Sequence, residues 1–186
     1  YITQVNNSVG KIYSFLEELL FWGRIQKNAV KLAYESTVVK ELITQTVSQL
    51  LESAANKKIS IEIVCTELLT AGLDKEMISI VLRNLISNAI KFSTVGGKIL
   101  VNTIFEDDHI KISVTDYGVG ISEEILPKLF RLDDNVSTVG TNGEQGSGMG
   151  LILCNDIMKK HNGEISVQSK EGRGSTFTIR IPQYKI

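Results

Sequence analysis

The chain has 186 residues, a formal net charge of −1, 42% hydrophobic residues and two prolines. That length suits one domain, or a small domain with an appendage, and this composition excludes a chain that stays largely disordered. The charge balance excludes a basic nucleic-acid surface and an acidic tail for a basic partner, so a nucleotide site would have to rest on local groups.

Cys65 and Cys154 stand far apart with no Cys-x-x-Cys pair, and read as buried thiols of a cytosolic protein, with neither zinc nor a disulfide. No run approaches the roughly 18 apolar residues of a membrane span, and no signal peptide precedes the first element. Starting at Tyr1, the chain reads as a cytoplasmic piece of something longer, without direct membrane contact.

In chain order, Ile2, Val5, Val9, Ile12, Leu16 and Leu19 alternate three and four apart, a heptad stripe along one helix. Phe15, Leu20 and Trp22 widen the stripe and imply a second covered surface. Periodicity fits a bundle seam and a helix packed on its own domain equally well. A second helical pattern runs from Val38 to Asn56, and Ile59–Val64 alternates as a strand. Asp74 is placed to cap a long helix reaching Phe92. Gly96-Gly97 breaks the chain before strands Lys98–Phe105 and Ile110–Thr115, joined by the acidic turn Glu106-Asp107-Asp108. A short helix is expected from Ser122 to Phe130. Residues 131–148 are polar and glycine-rich, which reads as a mobile loop. A helix over Met149–Lys160 and strands over Glu164–Ser169 and Thr176–Ile181 close the chain. Helices and strands mix without βαβ alternation, so the expected class is α+β, a two-layer sandwich with helices on one face of a mixed sheet.

Four clusters carry polar chemistry. Asn84, Asn88 and Lys91 share one face of the long helix. Their carboxamides can ligate magnesium and the ammonium can meet phosphate, yet alone they describe an ordinary solvated helix face. Asp116, with Gly118 and Gly120, follows a strand and can accept bonds from an amino group; alone it is a plain turn. Gly143-Glu-Gln-Gly146-Ser147-Gly148-Met149-Gly150-Leu151 runs into a helix N-terminus, where free N–H groups favour phosphate. Gly172-Arg-Gly174-Ser175-Thr176-Phe177 makes a tight turn into a strand. No Gly-x-x-x-x-Gly-Lys-Ser/Thr occurs, and the Gly146–Gly150 run follows a polar loop instead of a strand, which sets aside the P-loop and dinucleotide folds.

Over roughly Val38 to Pro182, these clusters resemble in order and spacing the N, G1, F, G2 and G3 boxes of the ATPase superfamily of gyrase, Hsp-ninety chaperones, sensor histidine kinases and MutL proteins. Phe130, in Leu126-Pro-Lys-Leu-Phe130, resembles the F-box residue. Asn84-x-x-x-Asn88-Ala-x-Lys91-Phe92 is most similar to the histidine kinases. Water-splitting members carry a glutamate base where Asn84 stands, and a carboxamide cannot take a proton from water. Leu19-Leu20-x-Trp22-x-Arg24-x-Gln26 resembles the second helix of the kinase dimerisation hairpin, most like hybrid kinases of Bacteroidetes-like bacteria.

The resemblance implies a Bergerat-type ATP fold over residues 32–186, preceded by a long bundle helix over residues 1–31 that lacks the acceptor histidine. It implies ATP and Mg²⁺ as ligands, with transfer of the γ-phosphate to a histidine on a first hairpin helix. A response-regulator receiver domain and a second copy, held through the hairpin, are the implied partners, and the parent protein is expected in the inner membrane. Asp116 would accept the adenine amine, with Gly118 and Gly120 clearing space and Ile121 and Phe92 as walls. Asn88 would ligate magnesium, and Asn84 would contact phosphate or metal. Lys91 and the amides of residues 146–151 would neutralise the phosphates, and Thr176 would fix a water near the base. Residues 131–148 would form a lid. His109 reads as a surface turn residue and His161 as a residue favouring a helix C-terminal dipole, neither an acceptor. An ATP-sensing module, a chaperone- or topoisomerase-type ATPase and a serine kinase are the rival readings.

Overall fold

Asp74 fixes the start of the longest helix. Its Oδ1 accepts the Met77 N–H at 3.0 Å, while Oδ2 accepts the Ala33 N–H at 2.9 Å, so one carboxylate caps the helix and pins the incoming chain. The computed structural model describes residues 16, 19–27, 29–65, 69–132, 138–144 and 146–183. The heptad positions Ile2, Val5, Val9 and Ile12, with Phe15, lie outside them.

Helix α1 covers residues 19–26. Its last turn packs onto the rest of the chain through buried Ile25 and part-buried Phe21 and Trp22, whereas Leu19 and Leu20 stay exposed. Strand β1 (Glu35–Val38) leads into α2 (Val39–Ser48) and α3 (Leu51–Asn56). The single helix expected over Val38–Asn56 is therefore two, parted at Gln49-Leu50. There the Ser48 hydroxyl bonds back to the Gln45 carbonyl at 2.7 Å, an interaction that competes with helix continuation.

Strand β2 (Ser60–Cys65) and β3 (Thr70–Leu73) precede α4 (Lys75–Phe92). β1 and β3 form a two-stranded antiparallel ribbon that the sequence pattern did not announce. Strands β4 (Lys98–Glu106) and β5 (His109–Asp116) form a hairpin whose Asp107 and Asp108 have φ of 53° and 57°. Positive φ at both central residues gives a turn matched to strand twist, and aspartate tolerates it. The helix expected from Ser122 to Phe130 is only a 3-10 turn over Leu126–Lys128. Helix α5 (Gly150–Lys160), β6 (Glu164–Lys170) and β7 (Gly174–Pro182) complete the chain.

The main sheet runs β2-β4-β5-β7-β6, parallel between β2 and β4 and antiparallel elsewhere. Strand alternation sorts its side chains. Ile99, Val101, Ile110, Ile112, Val114, Phe177, Ile179 and Ile181 are buried with the apolar face of α4 (Met77, Ile78, Val81, Leu82, Leu85, Ile86, Ala89) and with Ile157 and Met158 of α5. Each such side chain contributes about 1.5–3 kcal/mol. The opposite sheet face carries a ladder of hydroxyls, Ser113 to Thr178 at 3.1 Å and Thr115 to Thr176 at 3.0 Å. The expected two-layer α+β sandwich with a mixed sheet is the observed class. Cys154 is buried as expected, but Cys65, on an edge strand, is only half-buried.

Candidate nucleotide site

Asp116 ends β5 on the helix-facing side and is 3% exposed. Burial raises its carboxyl above the usual range, against the lowering effect of the Gly118 and Ser175 backbone N–H groups. Oδ1 accepts the Gly118 N–H at 2.9 Å.

The turn beyond Asp116 is wedged between two backbones. A Cβ at Gly118 would overlap the Phe92 carbonyl at the end of α4, and one at Gly120 would overlap the Lys170 carbonyl at the end of β6. Val119 N–H donates to Phe92 O at 3.2 Å, Val119 O accepts Gly172 N–H at 2.7 Å, and Ile121 N–H donates to Ser169 Oγ at 2.8 Å. Gly120 also has φ of 68°. The glycines expected to clear space for a base are thus filled on one side by the chain itself, which fixes Asp116 against α4.

Asn84, Asn88, Lys91 and Phe92 are half-buried along one edge of α4. Asn84 Nδ2 donates to Ile80 O at 3.1 Å, and a Cβ on Gly150 would overlap Asn84 Oδ1. Among the described residues, nothing hydrogen-bonds the Asn88 carboxamide. Lys91 Nζ donates to Thr138 O at 2.7 Å, lies 4.7 Å above the Phe92 ring, and would sit 2.8 Å from a Cβ on Gly146. Desolvation lowers the Lys91 ammonium, opposed by the Glu144 charge.

Across from this edge, Gly146, Ser147, Gly148 and Met149 lead into α5, where Gly150 and Leu151 open the helix. Gly148 has φ of 75°. Among the described residues no side chain caps α5, and the Ser147 hydroxyl accepts the Met149 N–H at 3.3 Å just outside it. The first-turn N–H groups of an uncapped helix favour an anion. Ile121 and Phe130 are part-buried against the hydrophobic core.

Thr176 does not join this group. Its hydroxyl pairs with Thr115 on the far face of the sheet, and Ser175, opposite Asp116 in register and buried, faces the helices instead. The parity of β7 carried that signal: a strand with Phe177 and Ile179 turned inward turns Ser175 inward too. Asp116 and Thr176 do line a shallow hollow of about 400 Å³ with Tyr117, Gln168 and Arg173, but that hollow contains none of the α4 residues. The candidate site is instead the polar edge of α4 where it meets the start of α5.

Residues 131–148 were expected to move as a lid. Of their described residues, 138–144 are tied down: Thr141 N–H donates to Lys91 O at 3.1 Å and Thr141 Oγ1 to Ser93 O at 2.6 Å. Sequence reading missed the partner of this loop, Lys57, which is buried and donates to Ile90 O, Lys91 O, Thr141 Oγ1 and Glu144 Oε1 at 2.7–2.9 Å. Nothing in the Lys57-Lys58 pair distinguishes the buried ammonium from a surface one. His161 is also corrected. It caps α5 but is fully buried, its Nδ1 bonded to Ile157 O at 2.9 Å, and burial pushes its imidazole down, against a charged role at the helix end. His109 opens β5 beside the turn, as expected.

Residues 73–185 match the family model described as histidine kinase-, DNA gyrase B- and HSP90-like ATPase. Over 185 residues the chain is 29% identical to the sensor histidine kinase RcsC of Salmonella typhimurium, matching 98% of this chain and 19% of that protein. The chain thus spans about a fifth of that relative. The catalytic domain of the histidine kinase ThkA superposes with a TM-score of 0.71 at 27% identity, covering 81% of this chain and 96% of that one. Full-length ShkA, solved in complex with AMPPNP, gives 0.86 at 23% identity over 100% of this chain and 39% of its own. ThkA in complex with the response regulator TrrA gives 0.79 at 23% identity over 99% and 51%. With the Asn84–Phe92 edge, the Asp116 turn and the glycine run before α5 all inside the matched span, the chain belongs to the histidine kinase-, DNA gyrase B- and HSP90-like ATPases, among relatives that are sensor histidine kinases.

Proposed function

We propose that residues 32–186 bind ATP with Mg²⁺ and deliver the γ-phosphate to a histidine on a partner helix, for onward transfer to a response-regulator receiver domain. The observation that carries this reading is the facing pair of α4 and α5: a carboxamide and ammonium edge opposite an uncapped, glycine-led helix start, with a buried carboxylate beside it. Asp116 accepts the exocyclic amine of adenine, and guanine, with an oxygen there, is refused. The N–H groups of residues 146–151 and Lys91 bind the phosphates, acting by position and charge. Asn88 fits a divalent cation because its carboxamide is half-buried and engaged by no described residue; Asn84 is a second contact. The cation would supply charge neutralisation between phosphate oxygens.

Asn84 argues for transfer to another protein group over transfer to water, since it cannot serve as a base. ShkA with AMPPNP and ThkA with TrrA support nucleotide and receiver as partners of this chain. Residues 1–31 are proposed as the second arm of a dimerisation hairpin, and Leu16, Leu19 and Leu20, at 50%, 41% and 64% exposure, suit a bundle with a second copy. The parent protein is proposed to be anchored in the inner membrane.

The test adds a separate helical hairpin, bearing the acceptor histidine, to this chain with labelled ATP. Acid-labile phosphate is expected on the hairpin and none on this chain alone. Tight ATP binding without transfer would favour a nucleotide-sensing module, and multiple-turnover release of phosphate would favour an ATPase.

A further inference from the structure

Lys57 sits at the end of α3, far in sequence from the motifs, yet its ammonium is the hub of the loop that precedes α5. Its side chain is 5% exposed. Its three N–H groups are shared among four acceptors: the last-turn α4 carbonyls Ile90 O at 2.8 Å and Lys91 O at 2.9 Å, Thr141 Oγ1 at 2.7 Å and Glu144 Oε1 at 2.9 Å. Glu144 turns its other oxygen to the Asn142 N–H at 2.8 Å, and its carbonyl accepts the Gly140 N–H at 2.7 Å. Residues 140–144 thus form a closed turn around one carboxylate, fastened to α4 through one cation.

Glu144 also lies close to Lys91. A Cβ at Gly140 would be 2.5 Å from both Glu144 Oε2 and Lys91 Cγ, so only a bare backbone separates the acid from the stem of the proposed phosphate-binding cation. The Glu144 charge is felt at Lys91. Burial alone would raise the Glu144 carboxyl, but bonds from Lys57 and Asn142 hold it below its usual range, so it is an anion at neutral pH. That anion has two possible cationic partners, and the structure gives it to Lys57.

We propose that Lys57 is a positioning residue for the nucleotide site: it holds the 140–144 turn on the end of α4 and keeps Glu144 from capturing Lys91. The inference rests on the nucleotide-binding reading above and adds a residue that touches neither base nor phosphate. Lys57 acts through two others, by setting where the turn stands and by neutralising the acid nearest the phosphate cation.

The experiment measures ATP and adenosine affinity by calorimetry for wild type, Lys57→Met, Glu144→Gln and the double variant, each with its thermal midpoint. Lys57→Met is expected to weaken ATP about tenfold, the scale of one poorly screened charge contact, and to leave adenosine, which has no phosphate, nearly unchanged. Adding Glu144→Gln should restore most of the ATP affinity without restoring the midpoint, because the competing anion is gone while the α4 carbonyls stay unpaired. A purely structural lysine would show the opposite, an equal loss for both ligands and no rescue, and that result overturns the proposal. Should Lys57→Met not fold, Glu144→Gln alone decides by hydrogen exchange. Faster exchange of the Gly140 and Asn142 amides with ATP affinity held or improved supports the inference; unchanged exchange or weakened ATP overturns it. Wild type that binds no ATP defeats the nucleotide reading and this inference together, whereas wild-type binding with an unaffected Lys57→Met defeats this inference alone.

Discussion

A buried carboxylate whose backbone hydrogen bonds do not outweigh its desolvation costs stability, because burial disfavours its charge. The Asp116 carboxyl is raised for that reason. A raised folded-state value means that whatever Asp116 contributes to stability is present below its unfolded value and lost as pH rises through the folded one. At neutral pH, therefore, Asp116→Asn is expected to leave the thermal midpoint unchanged or slightly higher, while ATP affinity falls by at least about a hundredfold, the cost of a mismatched buried polar contact to the purine. Paired calorimetric titration and thermal melts check this, and unaltered ATP binding would remove Asp116 from the site. Gly118 is the contrasting residue. Its missing Cβ makes room for Phe92 O and Ser93 Cα, backbone atoms that cannot swing aside. Gly118→Ala is expected to cost about 1–3 kcal/mol in urea unfolding, as overpacking does, and to weaken ATP through displacement of Asp116.

At the scale of elements, the informative contact joins α1 to α5. Trp22 Nε1 and Gln26 Nε2 both donate to Asp156 Oδ2, at 2.9 and 2.7 Å, and Lys160 Nζ reaches Val30 O at 3.2 Å. The proposed bundle arm is thereby held by the helix whose first turn faces the proposed nucleotide site. Bonds to an ionised group contribute about 1.5–3 kcal/mol each when shielded and less when open to water, as Gln26 is. Asp156→Ala is expected to free the end of α1 before the sandwich unfolds. Trp22 is the sole tryptophan, so its emission reports the event directly. A red shift in emission with a nearly constant far-UV melting midpoint is the expected outcome, and an unshifted spectrum would show that packing of Phe21 and Ile25 holds the helix without the bonds.

For the whole molecule, His161 couples stability to pH. It lies fully buried at the C-terminal end of α5, edge-on to Tyr34 at 5.9 Å, and desolvation lowers its imidazole although Ile157 O and Asp74 pull the other way. A depressed folded value means its contribution is present above the unfolded histidine range and lost as pH falls through the folded one. Wild type is expected to lose thermal stability between about pH 7 and pH 5, and His161→Gln, which does not titrate there, to show a flatter profile over that window. Parallel slopes in the two proteins would assign the acid lability to other groups.

Local chemistry alone was enough for much of this protein. The Asp74 cap, the apolar periodicity of α4, the β4–β5 hairpin and the order of the motif clusters depend on residues within one turn or one hairpin of each other, where neighbours in sequence are neighbours in space. The class of the fold followed from them. Long-range pairing was not legible in that way. β1 and β3 are four residues each and find one another across α2, α3 and β2; Ser175, and not Thr176, faces the helices only because the sheet places one face of β7 against them; Lys57 becomes a buried hub only when α3, the end of α4 and the 140–144 turn converge. A lysine, a serine and a threonine carry no mark of burial in the sequence. Desolvation and hydrogen-bond partners assign their roles, and those exist only once distant segments have packed.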